Sequence, residues 1–140
     1  MDTKTTPCPC GSNEDYADCC GRYLDRGQAA PTAETLMRSR YSAYARGRED
    51  YLLATWHRST RPASLALASE PRSKWVGLEV KRNEQSGSDQ AVVEFVARYK
   101  VGGRAHRLHE VSRFVREAGK WFYVDGEGPQ SAQSKDWRGF

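Results

Sequence analysis

The sequence predicts an α+β fold, with helices first and a four-strand antiparallel meander after them, preceded by a small cysteine module. Three observations predict it. Apolar residues between positions 32 and 56 recur at helical spacing, those between 76 and 125 alternate residue by residue, and all four cysteines of the 140-residue chain fall between positions 8 and 20. Helices lying on one face of an antiparallel sheet are a standard way to bury one core in a chain of this length.

Residues 1–7 read as a loose polar arm, residues 8–22 as the cysteine module, and Asp25 to Pro31 as a linker. Thr32 or Thr35 caps the first long helix. Leu36, Met37, Tyr41 and Tyr44 form its apolar stripe, with Ala43 on the same side and Arg38, Arg40 and Arg46 partly on the opposite face. Gly47 stops it. A second helix is predicted from Glu49 to Trp56 and ends by Arg61-Pro62; residues 63–69 suit one more turn. Val76, Leu78 and Val80 then alternate with Gly77, Glu79 and Lys81. Residues 85–89 form a turn region. Val93, Phe95, Ala97, Tyr99 and Val101 make the next alternating set, and Gly102-Gly103 is a tight hairpin signal. A third strand runs from about Arg104 to Glu117, Ala118-Gly119 turns it, and a fourth spans Lys120 to Asp125.

Composition excludes several classes. Four Trp, seven Tyr and four Phe are too many for a disordered chain, despite a mean hydropathy of −0.81. No apolar run is long enough for a transmembrane helix, and the polar start lacks a signal core, so the expectation is a cytoplasmic protein with no membrane partner. Lys and Arg total 22 against 18 Asp and Glu, a net charge of +4. Residues 1–30 carry Lys4, Arg22 and Arg26 against Asp2, Glu14, Asp15, Asp18 and Asp25, a net charge of −2, whereas the remainder carries +6. That excess is compatible with nucleic acid, but no block of like charges marks a binding patch, and a solvated basic surface is the plainer reading.

The cysteines read Cys8-Pro9-Cys10, eight residues, then Cys19-Cys20. A disulfide framework staples distant parts of a chain, which this cluster does not. A redox pair would favour Cys-x-x-Cys, which is absent, and a catalytic zinc keeps an open ligand position. Four thiolates around one structural Zn²⁺ suit the spacing best. Gly11 lets the chain turn after the first pair, Ser12 starts a short element that returns Cys19 and Cys20, and backbone N–H groups around Gly11 and Gly21 are candidate donors to the sulfurs.

The stretch CPCGSNEDYADCCG at 8–21 resembles the SEC-C motif, a short zinc-binding module first named for the C-terminus of the SecA translocation motor. Its ligands are Cys-x-Cys and, eight residues on, Cys-Cys or Cys-His. The resemblance therefore assigns Cys8, Cys10, Cys19 and Cys20 as metal ligands and one zinc ion as cofactor. The acidic insert between the pairs departs from the lysine-bearing SecA type. The wider chain, through LMRSRYSAY at 36–44, YLLATWHRSTRP at 51–62 and HEVSRFVREAGKWFYVDGE at 109–127, resembles the bacterial YchJ family. That resemblance implies an N-terminal SEC-C module at 1–25, an NTF2-like domain at 30–128, cone-shaped with helices on a curved sheet, and a tail at 129–140.

NTF2-like cones often enclose a pocket, and the candidates to line one are Trp56, His57, Arg61, Tyr99, His109, Glu110, Trp121 and Asp125. His109 and Glu110 are strand neighbours and so face opposite ways. Glu110 shares its side with Leu108, Ser112 and Phe114, which makes it either half of an ion pair with Arg40 or Arg61, or a pocket acid. His57 reads as a packed or capping group as readily as a catalyst, and Trp75, Tyr99 and Trp121 as core rather than a ligand cage. His106 reads as solvated. No Ser-His-Asp set, phosphate loop or second metal spacing is present. The expectation is an accessory protein: a zinc module that docks a protein partner, and a cone that binds a small ligand or a partner. The alternatives are a small hydrolase or isomerase working in the cone, and a nucleic-acid-associated protein.

Overall fold

The computed structural model describes residues 7–63 and 73–127. A 3₁₀ turn at Tyr16–Asp18 leads into α1 (Gly21–Leu24), α2 (Ala33–Arg46) and α3 (Glu49–Ala54). Four strands follow, β1 (Ser73–Ser86), β2 (Gln90–Val101), β3 (Arg104–Glu117) and β4 (Lys120–Glu127), in one antiparallel sheet of that order. The expected turn at 63–69 falls almost wholly outside the described residues.

Thr32 caps α2, its hydroxyl accepting from the Thr35 N–H at 3.1 Å, and Gly47 closes it in the left-handed conformation at φ 70°. Leu36, Met37, Tyr41 and Ala43 are buried as expected, but so is Arg40, at 0% exposure. Its place on the core side follows from the helical period, because it stands four residues after Leu36 and three after Met37. The second helix stops at Ala54 rather than Trp56. The next residues leave the helix to pair with the exposed edge of β4: the His57 N–H donates to the Tyr123 carbonyl at 2.7 Å, and the Tyr123 N–H to that of Thr55 at 2.8 Å. An unpaired strand edge is thereby covered.

The helices pack on one face of the sheet, against Val93, Phe95, Phe114 and Tyr123; we call this the inner face. The Gly102-Gly103 hairpin has φ 58° and 82°, the positive pair that a two-residue loop demands. Three irregularities interrupt the alternation. Register shifts lie between Trp75 and Gly77, between Val80 and Arg82, and opposite Arg113/Phe114 in β4. The first corrects the simple alternation expected of β1: Val76 is the unpaired bulge residue, 49% exposed, while Trp75 and Leu78 both turn to the core. Bulges of this kind bend and twist a strand. The third places Gly126 opposite Ser112 on the inner face.

Candidate metal centre

Cys8 to Gly11 forms a tight turn. The Cys8 N–H donates to the Glu14 carbonyl at 2.9 Å, the Gly11 N–H to that of Cys8 at 3.1 Å, and Gly11 sits at φ 83°. A single antiparallel bridge pairs Pro7 with Asp15 and folds the insert back. The returning element begins at Asp15, not at Ser12: the 3₁₀ turn ends in a bond from the Cys19 N–H to the Tyr16 carbonyl at 3.0 Å, and Cys20 stands at the head of α1. Gly21 is required there, because a Cβ would meet the Tyr16 carbonyl oxygen at 2.8 Å. The product is four sulfur atoms all within 4.8 Å of one another.

Cys8, Cys10 and Cys20 are buried and Cys19 is half-buried. The Cys10 and Cys19 sulfurs stand 3.7 Å apart, far beyond the ~2.0 Å of a disulfide. A tetrahedron of sulfurs about 2.3 Å from a zinc ion has edges of about 3.8 Å. The four cysteines could therefore hold a metal ion with little movement. The thiols lean on one another: hydrogen bonds with Cys10 and Cys20 hold Cys8 well below the usual thiol range, those with Cys10 and Cys8 push Cys20 up, and burial pushes Cys19 to about 11. Four sulfurs packed this closely share protons unless a cation replaces them.

The sulfurs have three polar neighbours, one backbone N–H and two hydroxyls. The Cys10 backbone N–H serves Cys8. The Ser12 hydroxyl lies 3.2 Å from the Cys19 sulfur, and the Ser42 hydroxyl 3.6 Å from that of Cys8. The Gly11 N–H, a candidate by sequence, is taken by the Cys8 carbonyl instead. Arginines fasten the module to α2 and to the start of α3: Arg38 Nη1 donates to the Cys10 carbonyl at 3.2 Å, Arg46 lies 4.1 Å over the Tyr16 ring, and Arg48, just before α3, donates from Nη2 to the Leu24 carbonyl at 3.0 Å. Arg38 and Ser42 were legible only as two polar residues one helical turn apart on α2; nothing in the sequence says that this side meets the cysteines.

The eight pocket candidates are not brought to one place. Glu110 is buried at 0% exposure on the inner face, where its Oε2 accepts from Ser112 Oγ at 2.6 Å and from Tyr123 Oη at 2.9 Å. A Cβ on Gly126 would lie 1.9 Å from the same oxygen, so this position must be glycine. Of the two expected partners, Arg40 is the one that shares the interior. Its Nη1 donates to the Leu52 carbonyl at 2.8 Å and Thr55 Oγ1 at 2.7 Å, and its guanidinium lies over the Tyr123 and Trp56 rings at 4.6 and 5.1 Å. Burial pulls its pKa down, and the Glu110 charge is among those opposing the shift. Arg61 is exposed and donates to the Trp56 carbonyl at 2.9 Å. Trp56 and Trp121 are core.

The remaining candidates scatter. His109 lies on the outer face with Nε2 2.7 Å from Glu94 Oε2, and Asp125 accepts there from Arg113 Nε at 2.6 Å. His57 bridges the β4 edge to Glu117 at 2.9 Å, and Tyr99 is packed between Trp75 and His106.

A four-strand α+β domain with a tetracysteine turn fastened to its main helix defines a two-part class, a SEC-C module joined to an NTF2-like domain. Residues 5–22 match the SEC-C motif, and residues 32–126 match the family described as "YchJ, middle NTF2-like domain". The chain belongs to the YchJ family. A UPF0225 protein of Chromobacterium violaceum is 63% identical over 85% of this chain and 90% of its own length; another from Methylibium petroleiphilum is 59% identical over 86% and 88%. The solution structure of a SEC-C motif containing protein from Rhodopseudomonas palustris is similar at TM-score 0.77 and 36% identity, over 88% of this chain and 98% of that one. A crystal structure of such a protein from Psychrobacter arcticus gives 0.71 and 32%, over 87% and 81%.

Proposed function

We propose that the N-terminal module holds one structural Zn²⁺ in a tetrathiolate site, and that the protein is an accessory factor which uses this stiffened module to dock a protein partner. The observation that carries the metal reading is the closeness of the four sulfurs, all within 4.8 Å, with one pair already at 3.7 Å. Four protein ligands close the coordination sphere, which is the arrangement of a structural rather than a catalytic zinc. The module has little apolar interior of its own, so the ion would supply most of its stability. The turn between the ligand pairs exposes Glu14 and Asp18, a small acidic surface held in place at both ends by cysteines. Reduced thiols in such a cluster suit the cytoplasm.

Against an acid–base enzyme stands the state of Glu110, already engaged by two hydroxyls and buried beside Arg40. The test is metal analysis of untagged protein purified under reducing conditions. One equivalent of zinc per chain is expected, falling below half in Cys10→Ser. Far less than one equivalent in the parent protein, or cysteines found oxidised in pairs inside cells, would overturn the reading.

A further inference from the structure

We propose that the β2–β3 hairpin end of the sheet binds single-stranded nucleic acid. Strand pairing gathers cations there that are scattered in sequence. On the outer face Lys74 stands opposite Lys100, and Arg98 opposite Arg107, with Arg104 closing the hairpin at the tip. All five are exposed. Like charges placed directly across a sheet oppose its pairing, yet two such pairs lie side by side.

Three other cations of the sheet are paired. Arg82 is 3.3 Å from Glu94, Lys81 is 3.2 Å from Glu79, and Arg113 is joined to Asp125. Among the described residues none of the five at the hairpin end has a salt bridge, and no carboxylate occurs between Glu94 and Glu110. Arg116 and Lys120, at the far end, also lack a salt bridge among the described residues, but both flank Glu117, which is adjacent to Arg116 and paired with Lys120; the hairpin end instead gathers five cations for an external polyanion.

Aromatic rings favour an unpaired strand over a duplex. The rings of Tyr44, Trp75, Tyr99 and His106 follow one another at 5.6, 4.8 and 5.2 Å, and the last contact is a parallel stack at 19°. The series runs along the inner face, starting against α2 and ending at His106, which is exposed at the hairpin end on the same side as Arg104. An exposed ring backed by a rigid stack is a platform for a base, and only an unpaired strand has bases to offer. Residues of one face are roughly 7 Å apart along a strand and about 4.8 Å apart across it, so phosphates can track the outer-face cations while a base that crosses the tip at Arg104 reaches His106 on the inner side. The patch contains none of the cysteines, so its failure would leave the metal centre standing.

The test is fluorescence anisotropy of the full zinc-loaded chain with labelled fifteen-nucleotide oligo-U and oligo-dT, and with a duplex of equal length. Binding is expected at 50 mM salt and should weaken as salt rises, with a log–log slope of about −3 for four or five phosphates. Arg98→Glu with Arg107→Glu should weaken it at least about tenfold and flatten the slope. His106→Ala should weaken it severalfold at an unchanged slope. Arg82→Glu, which alters a paired cation, should do little. The milder Arg98→Gln with Arg107→Gln keeps the test valid if the reversal fails to fold. Preference for RNA or for DNA identifies the strand and supports the proposal either way. No binding at 50 mM salt, tighter binding to the duplex, or equal loss in Arg82→Glu would overturn it. So would salt-sensitive self-association abolished by Glu14→Lys with Asp18→Lys, which would make the patch a dock for the acidic module of a second copy.

Discussion

Residues 7–25 and the sheet-bearing body fold on different terms. The module buries three cysteines, Tyr16, Tyr23 and Leu24, and its chain reverses direction around sulfur. The body buries Leu36, Met37, Tyr41, Leu52, Phe95 and Phe114 around a charged centre of Arg40 and Glu110. In the module the apolar content is small, and on the proposed reading a metal ion offsets the chain entropy. In the body apolar packing is ample, and the buried charges instead demand one arrangement of partners. On that reading the difference teaches that one chain can make part of its structure conditional on metal and the rest conditional on polar complementarity.

Metal removal should break the comparison most sharply. Apparent binding energies of structural zinc are about 10–16 kcal/mol. A strong chelator is therefore expected to open the module to proteolysis within 7–25 while the strand signal in far-UV circular dichroism persists. Because Cys8, Cys10 and Cys20 also touch the body's core, the melting temperature of the remainder should fall as well. Simultaneous loss of both signals would show one folding unit instead of two.

The next effect is in the body. Breaking a buried charge pair by removing one member typically costs about 3–5 kcal/mol, and Glu110→Ala should show a loss of that size in urea unfolding. Gly126→Ala should approach it, since its Cβ would stand 1.9 Å from the Glu110 oxygen. Arg40→Met combined with Glu110→Leu should recover much of the loss, as an apolar replacement of a buried pair often does. No recovery would mean that the polar centre specifies the fold as well as satisfying itself.

These outcomes bear on how much could be read from sequence. The helix and strand periods are local, so the meander, the Thr32 cap and the Gly102-Gly103 turn were legible. The oddness of Glu110 was too, since Leu108, Ser112 and Phe114 share its side. The cysteine spacing alone picked out the four sulfurs that the structure gathers. What depended on register was hidden. The bulge at Val76 lets both Trp75 and Leu78 face the core, and the Gly126 cradle follows from the separate irregularity in β4. Lys74 and Lys100 are neighbours only once β1 and β2 are paired. Arg40 belongs to the core by helical period, while its charge argues for the opposite face, and in the structure period wins.

The smallest expected effect is at the β4 edge. Hydrogen bonds from His57, and then Arg58, hold the Glu117 carboxyl below its ordinary value of 4.5. A depressed carboxylate stabilises the fold fully above that ordinary value and loses its contribution as pH falls through the lower native one. Glu117→Gln should therefore lower the melting temperature slightly at neutral pH, and the gap from the parent protein should close in acid. A gap that widens in acid would reverse the sign.

X-ray absorption at the zinc edge tests the central claim most directly. A first shell of four sulfurs at about 2.3 Å is predicted, with no nitrogen or oxygen scatterer. A shell of three sulfurs or fewer completed by a light atom would contradict it, because the module would then carry an open metal position rather than a closed structural one.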